Sequence, residues 1–124
     1  MTYDFYRIHL IHRDAEAVRR DDYHFDLFLD PSGNPAQKVV YFGLWGEMGN
    51  PGNRFPVILL PDGRIDFGAE EEDAARYHTT NLLEKKIFQG ELFTVSVPRD
   101  DSPTAFREMT LEVKSARRLA DLVS

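Results

Sequence analysis

The segment YHFDLFLD, residues 23–30, alternates apolar and polar side chains in the way that a half-buried β-strand does. Successive side chains of a strand point to opposite faces, so every second residue shares a face. One face of this strand would carry the apolar residues Tyr23, Phe25, Leu27 and Leu29. The other face would carry His24, Asp26, Phe28 and Asp30. The polar face is compatible with two interpretations, a water-facing surface and a ligand-binding site.

Patterned segments on both sides of this strand predict further strands. Some alternate in polarity, others are rich in β-branched and aromatic residues, and one contains a Pro-Asp-Gly turn typical of a hairpin. One of them has an interruption at Gly90. The segments with strand character are residues 4–13, 23–30, 38–45, 55–68, 86–97 and 106–116.

Two segments have helical character. Residues 69–83, AEEEDAARYHTTNLL, open with acidic side chains that suit a helix N-terminus, and the helix is expected to end near Thr79 and Thr80, which favour extended structure. Residues 116–124 are predicted to form a short terminal helix. With about six or seven strands and one or two short helices, the chain is expected to be mainly β. The architecture that fits best is a small, mostly antiparallel β-barrel, with a curled sandwich as the alternative.

Length and composition limit the classes of protein to which the chain could belong. Its 124 residues favour a single domain over residues 1–124, and the lack of cysteine excludes disulfides and thiolate metal sites. A formal net charge of −6 argues against a protein that grips extended nucleic acid. No apolar run suits a membrane span and the N-terminus has no signal-peptide features, so a cytoplasmic protein without membrane contact is expected.

The histidines point to a candidate metal site. His12 ends the first strand on its apolar face, while His24 and Asp26 share a face of the second strand with Cα atoms roughly 6.5–7 Å apart. If the two strands pair, His12 can approach the other two side chains. Two imidazoles and a carboxylate suit a divalent first-row metal such as Mn, Fe or Zn. Arg19 and Arg20, in the connecting segment, could then clamp an anionic oxygen near the site.

The order of these residues resembles the 3'-phosphoesterase domain of bacterial DNA ligase D and its stand-alone relatives. That family carries a segment like HDARRLHYDFRL, and residues 12–29 here read HRDAEAVRRDDYHFDLFL, with a longer loop. The family also has a His followed by a segment like FEGxIPxGxY, and residues 78–93 here read HTTNLLEKKIFQGELF. The resemblance extends over roughly residues 5–97.

The resemblance implies a small β-barrel that holds a metal in a cavity, with Mn as the expected ion and Zn as the alternative. Carried over position by position, the residues that match the metal ligands are His12, His24 and Asp26. His78 matches a histidine that contacts phosphate, and it would stabilise the phosphoryl oxygens or donate a proton. The implied function is a metal-dependent phosphoesterase acting on a phosphorylated small molecule or a nucleic-acid end.

Departures from the family pattern motivate a second interpretation. Phe28 stands where the family has an arginine, and Leu82 stands where it has a tyrosine. The aromatic segment YFGLW, residues 41–45, has no counterpart in the family pattern. The alternative is therefore a non-catalytic β-barrel module that binds a protein or a small ligand.

Overall fold

The chain folds into eight strands, a 3-10 turn and one short helix. The fold is seen in a computed structural model, and the described residues are 2–13, 22–46, 54–67, 78–98 and 105–122. The strands are β1 (Asp4–His12), β2 (Asp22–Leu29), β3 (Tyr41–Gly46), β4 (Arg54–Leu59), β5 (Arg64–Asp66), β6 (His78–Thr80), β7 (Leu92–Pro98) and β8 (Phe106–Arg118). The 3-10 turn is Leu82–Glu84, and the helix, α1, is Leu119–Leu122.

The strands form a closed antiparallel barrel. Each strand pairs with the next along the chain, and β8 returns to pair with β1. The prediction of a mainly β chain folded as a small antiparallel barrel is therefore confirmed. No helix within the described ranges has both the length and the apolar character needed to cross a membrane.

Side-chain alternation decides which residues fill the barrel. The register of β1 and β2 places Ile8 opposite Phe25, and both side chains are buried in the interior. The apolar face of residues 23–30 therefore points inward, as its pattern indicates. The other strands supply interior side chains in the same way, including Tyr41, Val57, Leu59, Ile65, Phe93, Val95, Leu111 and Val113.

The two ends of the barrel differ. Because the strands alternate in direction, β1, β3 and β5 finish at the end where β2, β4 and β6 begin, and we call this end the mouth. The opposite end is closed by residues 82–87, whose apolar side chains are buried. The Ile87 N–H donates to the Gly33 carbonyl at 2.9 Å, which ties this segment to the turn after β2. We call this opposite end the floor.

The floor turn depends on Asp30. One Asp30 oxygen, Oδ1, accepts the backbone N–H groups of Ser32 and Asn34, each at 2.9 Å. Gly33 lies between them at φ +89°, a conformation that favours glycine. These backbone donors hold the pKa of the Asp30 carboxyl below its ordinary value. Asp30, the last residue of the segment 23–30, therefore has a structural role as the cap of this turn.

The structure refines the predicted bounds of two helices and one strand. No helix extends through Thr79 and Thr80, where the predicted helix is expected to end, because residues 78–80 are extended and form strand β6 between β5 and β7. Residues 68–77 lie outside the described ranges. The predicted strand over 86–97 begins only at Leu92, after a turn in which Gly90 has φ +91°. The terminal helix is confirmed but short, since β8 continues to Arg118.

Candidate functional site

The structure separates the three residues that were predicted to bind a metal. His12 follows Ile8 and Leu10 on the inner face of β1, and its ring lies 6.1 Å from that of the buried Tyr23. His24 and Asp26 lie on the outer face of β2, since the alternate residues of that strand fill the barrel. The wall of the barrel thus stands between His12 and the other two side chains.

Register explains why the expected convergence is wrong. Directly opposite residues of an antiparallel pair point to the same side of the sheet. The apolar faces of β1 and β2 therefore both turn inward, and their polar faces both turn outward. The residue opposite His24 is His9, and the residue opposite Asp26 is Arg7. Among the described residues, no group of three or more His, Asp or Glu side chains could hold a metal ion. His12, His24 and Asp26 therefore do not form one ligand set, and the binding of a metal stays a prediction.

Asp26 forms a charged pair on the outer face. Arg7 donates from Nε to Asp26 Oδ1 at 2.9 Å and from Nη2 to Oδ2 at 3.2 Å, which is the two-bond geometry typical of arginine and carboxylate. The same contact raises the pKa of the Arg7 guanidinium. Both side chains are more than a third exposed, so the pair contributes little to stability.

His24 lies beside a second imidazole on the same face. Its ring centroid is 4.2 Å from that of His9, and His9 Nε2 is 2.8 Å from Asp22 Oδ2. Burial, together with a smaller effect of the neighbouring His9, lowers the pKa of His24 to about 4. His24 is therefore neutral at pH 7. Its Nε2 atom is buried and makes no hydrogen bond within the described part of the chain.

Two of the predicted site residues, His12 and His78, do come together at the mouth. His78 begins β6, and its Nδ1 is 2.8 Å from the hydroxyl of Tyr23. His12 contacts the same tyrosine ring from β1, and its proximity lowers the pKa of His78. The resemblance assigned His78 to a phosphate contact, and that role stays a prediction. What the structure adds is that His12 and His78 share one inner site.

Aromatic side chains complete this site, which we call the mouth cluster: His12, Tyr23, Trp45, Phe55, Phe67 and His78. Phe67 packs edge-on against His78 with ring centroids 4.4 Å apart, and Trp45 packs edge-on against Phe67 at 5.3 Å. The Phe55 ring lies 5.9 Å from that of Trp45 and is 51% exposed. Aromatic pairs favour such edge-on and tilted arrangements.

The environment of His78 keeps it neutral. Burial lowers the pKa of its imidazole to about 4, and the nearby His12 contributes a smaller effect in the same direction. A hydrogen bond joins the Tyr23 hydroxyl to His78 Nδ1 and fixes the orientation of the imidazole ring. Nε2 is then the His78 nitrogen that is left for another partner. The mouth cluster therefore offers hydrogen bonding without a formal charge on His78 at pH 7.

The sequence predictions missed Trp45, Phe55 and Phe67 as site residues. Trp45 and Phe55 lie at the mouth ends of β3 and β4, and Phe67 follows directly on β5. A weak signal existed, because the aromatic residues of YFGLW and of the hairpin recur at strand ends. Arg19 and Arg20, predicted to clamp phosphate, lie outside the described residues.

The two residues that depart from the family pattern have packing roles. Phe28 stacks on Phe5 on the outer face, with ring centroids 4.6 Å apart. Leu82 is fully buried in the 3-10 turn that closes the floor. Neither lies near the mouth cluster, so neither replaces a phosphate contact there. No protein-family model, curated protein or solved structure matches this chain.

Proposed function

We propose that this protein is a β-barrel module that binds a small, partly aromatic molecule at its mouth. The observation that carries the proposal is the mouth cluster, in which Trp45, Phe67 and His78 pack edge-on against one another beside a half-exposed Phe55. Sites for small ligands are mostly lined by apolar and aromatic side chains with a few placed polar groups. This arrangement supports the non-catalytic alternative.

Exposure of Phe55 supports a binding role. Phe55 belongs to the strand face that turns inward, because it lies opposite Trp45 and two residues before the buried Val57. It is nonetheless 51% exposed, since it stands at the rim of the barrel. A planar ligand stacked on this ring would remove its apolar surface from water, which is favourable in proportion to the area covered.

The imidazoles define the polar part of the ligand. His78 is neutral at pH 7 and holds Tyr23 through Nδ1, so Nε2 can pair with one polar atom of a bound molecule. A neutral hydrogen-bonding group such as a carbonyl, hydroxyl or ring nitrogen suits this partner better than an ion, because an unpaired charge is costly in a desolvated site. The expected class is a neutral planar molecule with at least one polar atom.

Trp45 provides a direct test, because it is the only tryptophan of the chain and belongs to the cluster. Titration with small neutral aromatic molecules, beginning with the planar dye Nile red, is expected to change tryptophan emission in a saturable way. Phe55→Ala should weaken the binding about tenfold, since it removes one aromatic contact and its buried area.

The matched control is Phe42→Ala. Phe42 is 70% exposed on the outer face of β3, so the same ring is removed without touching the mouth. Its affinity should equal that of the parent protein. Unchanged emission with every molecule, or an equal loss in both variants, would contradict ligand binding at the mouth.

A second candidate function is phosphoester hydrolysis at the same mouth. It is favoured by one observation, that His12 and His78 lie around Tyr23. With Mn present, activity on a chromogenic phosphodiester and on a 3'-phosphorylated oligonucleotide should fall about 100-fold or more in His78→Ala, the usual effect of losing an acid–base group. His24→Ala is the control, because His24 lies outside the barrel. Activity lost in His24→Ala but kept in His78→Ala would exclude the mouth.

A further inference from the structure

A groove of about 580 Å³ runs along the outer face of the barrel between β2, β1 and β8. We call it the outer groove. Its walls carry three basic side chains, two imidazoles and an amide: Arg7, Lys114, Arg117, His9, His24 and Gln89. The volume lies within the range of small-molecule sites. Because the chain has a formal net charge of −6, this concentration of basic groups gives the groove a local charge opposite in sign to that of the whole protein.

Two arginines face each other across the groove. Arg7 and Arg117 are directly opposite residues in the antiparallel pair of β1 and β8. Like charges in that position repel and destabilise the pairing. Asp26 compensates Arg7 through the two hydrogen bonds from Nε and Nη2, and Nη1 takes no part in that pair. Arg117 has no ion-pair partner in the described ranges, so one charge of the pair is left uncompensated.

A β-bulge adds a third cation. The register between β1 and β8 shifts between His9 and Leu10, which lie opposite Ser115 and Val113. Lys114 is the extra residue of β8 and has no opposite residue in β1. Bulges reorient side chains and are common beside binding sites. Lys114 lines the groove and is likewise without an ion-pair partner among the residues described.

His24 supplies a polar atom that lacks a partner. Its Nε2 is buried and makes no hydrogen bond within the described residues, although the ring lines the groove. Leaving a buried polar nitrogen unpaired costs free energy. His9, beside it, is held by Asp22 at 2.8 Å. That nitrogen has almost no solvent-accessible surface, so a ligand oxygen in the groove would reach it only after the imidazole ring rotates.

We infer that the outer groove binds a phosphate group, either free phosphate or a phosphomonoester, between Arg7, Arg117 and Lys114 and beside the His24 ring. Two cations without partners match the charge of a phosphate dianion, and a guanidinium fork fits two of its oxygens at once. This site is independent of the proposed ligand site at the mouth, because it lies on the opposite side of the barrel wall. Either proposal can fail without the other.

Calorimetric titration of the whole chain with inorganic phosphate tests the inference. Saturable binding is expected, and Arg117→Gln and Lys114→Gln should each weaken it about tenfold, the usual effect of losing one charge-assisted hydrogen bond. Arg117→Lys keeps the charge but loses the fork, so a smaller but measurable loss is expected. The ring nitrogen signals of His24 should shift on titration. Circular dichroism verifies that each variant is folded.

The control is Lys38→Gln, which removes the same charge from an exposed residue in the connection between β2 and β3. It should bind phosphate as the parent does. An equal loss in Lys38→Gln would reduce the effect to general electrostatics, and the absence of saturable binding would overturn the site outright. Adenosine monophosphate against inorganic phosphate distinguishes an ester from the free ion. Malonate binding as tightly as phosphate would overturn the ligand class, because it would show a site for carboxylates.

Discussion

Replacing Gly43 with alanine is expected to lower the free energy of unfolding by about 3 kcal/mol, the upper part of the range for overpacking. A methyl group on Gly43 would meet the backbone carbonyl of His24 and the ring of Phe25 well inside van der Waals contact. Neither neighbour can give way easily, since one is backbone and the Phe25 ring is fully buried in the barrel. The cost therefore falls on the pairing of β2 with β3.

Equilibrium denaturation with urea measures this loss. Leu44→Ala is the matched control, because Leu44 is the next residue and is 37% exposed on the outer face. It should cost less than about 1 kcal/mol, as partly exposed positions do. Gly43→Ala with a stability within about 0.5 kcal/mol of the parent would show that β2 and β3 can separate without loss. A shift in the Trp45 emission of Gly43→Ala is also expected, since Trp45 pairs with Tyr23.

Acidification from pH 7.5 to pH 5 is expected to destabilise the fold through two histidines. The folded-state pKa values of His24 and His78 are both about 4, against an ordinary value of 6.5. Below about pH 6.5 the unfolded chain binds protons on these residues and the folded chain does not. Stability is therefore full above this pH and is lost as the pH falls towards 4. His78 should contribute about 2 kcal/mol of the loss by pH 5, and the more exposed His24 less.

Denaturation curves at several pH values measure the effect. His78→Gln removes the titrating group and keeps a polar side chain, so its stability should depend less steeply on pH than that of the parent. His24→Gln should show a smaller flattening. The carboxyl groups of Asp30, Asp62 and Glu91 have pKa values below their ordinary ones, so their effect begins at lower pH and does not interfere. A pH dependence that is unchanged in both variants would contradict the neutral state of the two imidazoles.

Much of the barrel is predictable because its strands carry a local signal. Alternation along β1 and β2 identifies both strands and their inner faces, and the Pro-Asp-Gly turn places the hairpin of β4 and β5. Strand β6 could not be found in this way. Its three residues, His78–Thr80, show no alternation and become a strand only through pairing with Ile65 and Val95 in distant segments.

The site was harder to predict because it depends on how faces combine. The sequence places His12 on an apolar face and His24 on a polar one, and antiparallel pairing keeps such faces apart. This information was present, and it argues against a shared ligand set. The mouth cluster is different, since Trp45, Phe67 and His78 meet only after the barrel closes. No local pattern encodes that register.

The shortest strands of the barrel, β5 and β6, have three residues each and hold their neighbours through few backbone bonds. We call β5 and β6 the short-strand sector. Local opening of the barrel is expected to cost the least free energy there. His78 belongs to this short-strand sector, and Phe67 follows directly on β5. Trp45 lies on β3, which pairs with β4 over six residues. A molecule bound between Trp45 and His78 would therefore stabilise the short-strand sector against opening. Ligand binding at the mouth would then slow the opening of the whole barrel.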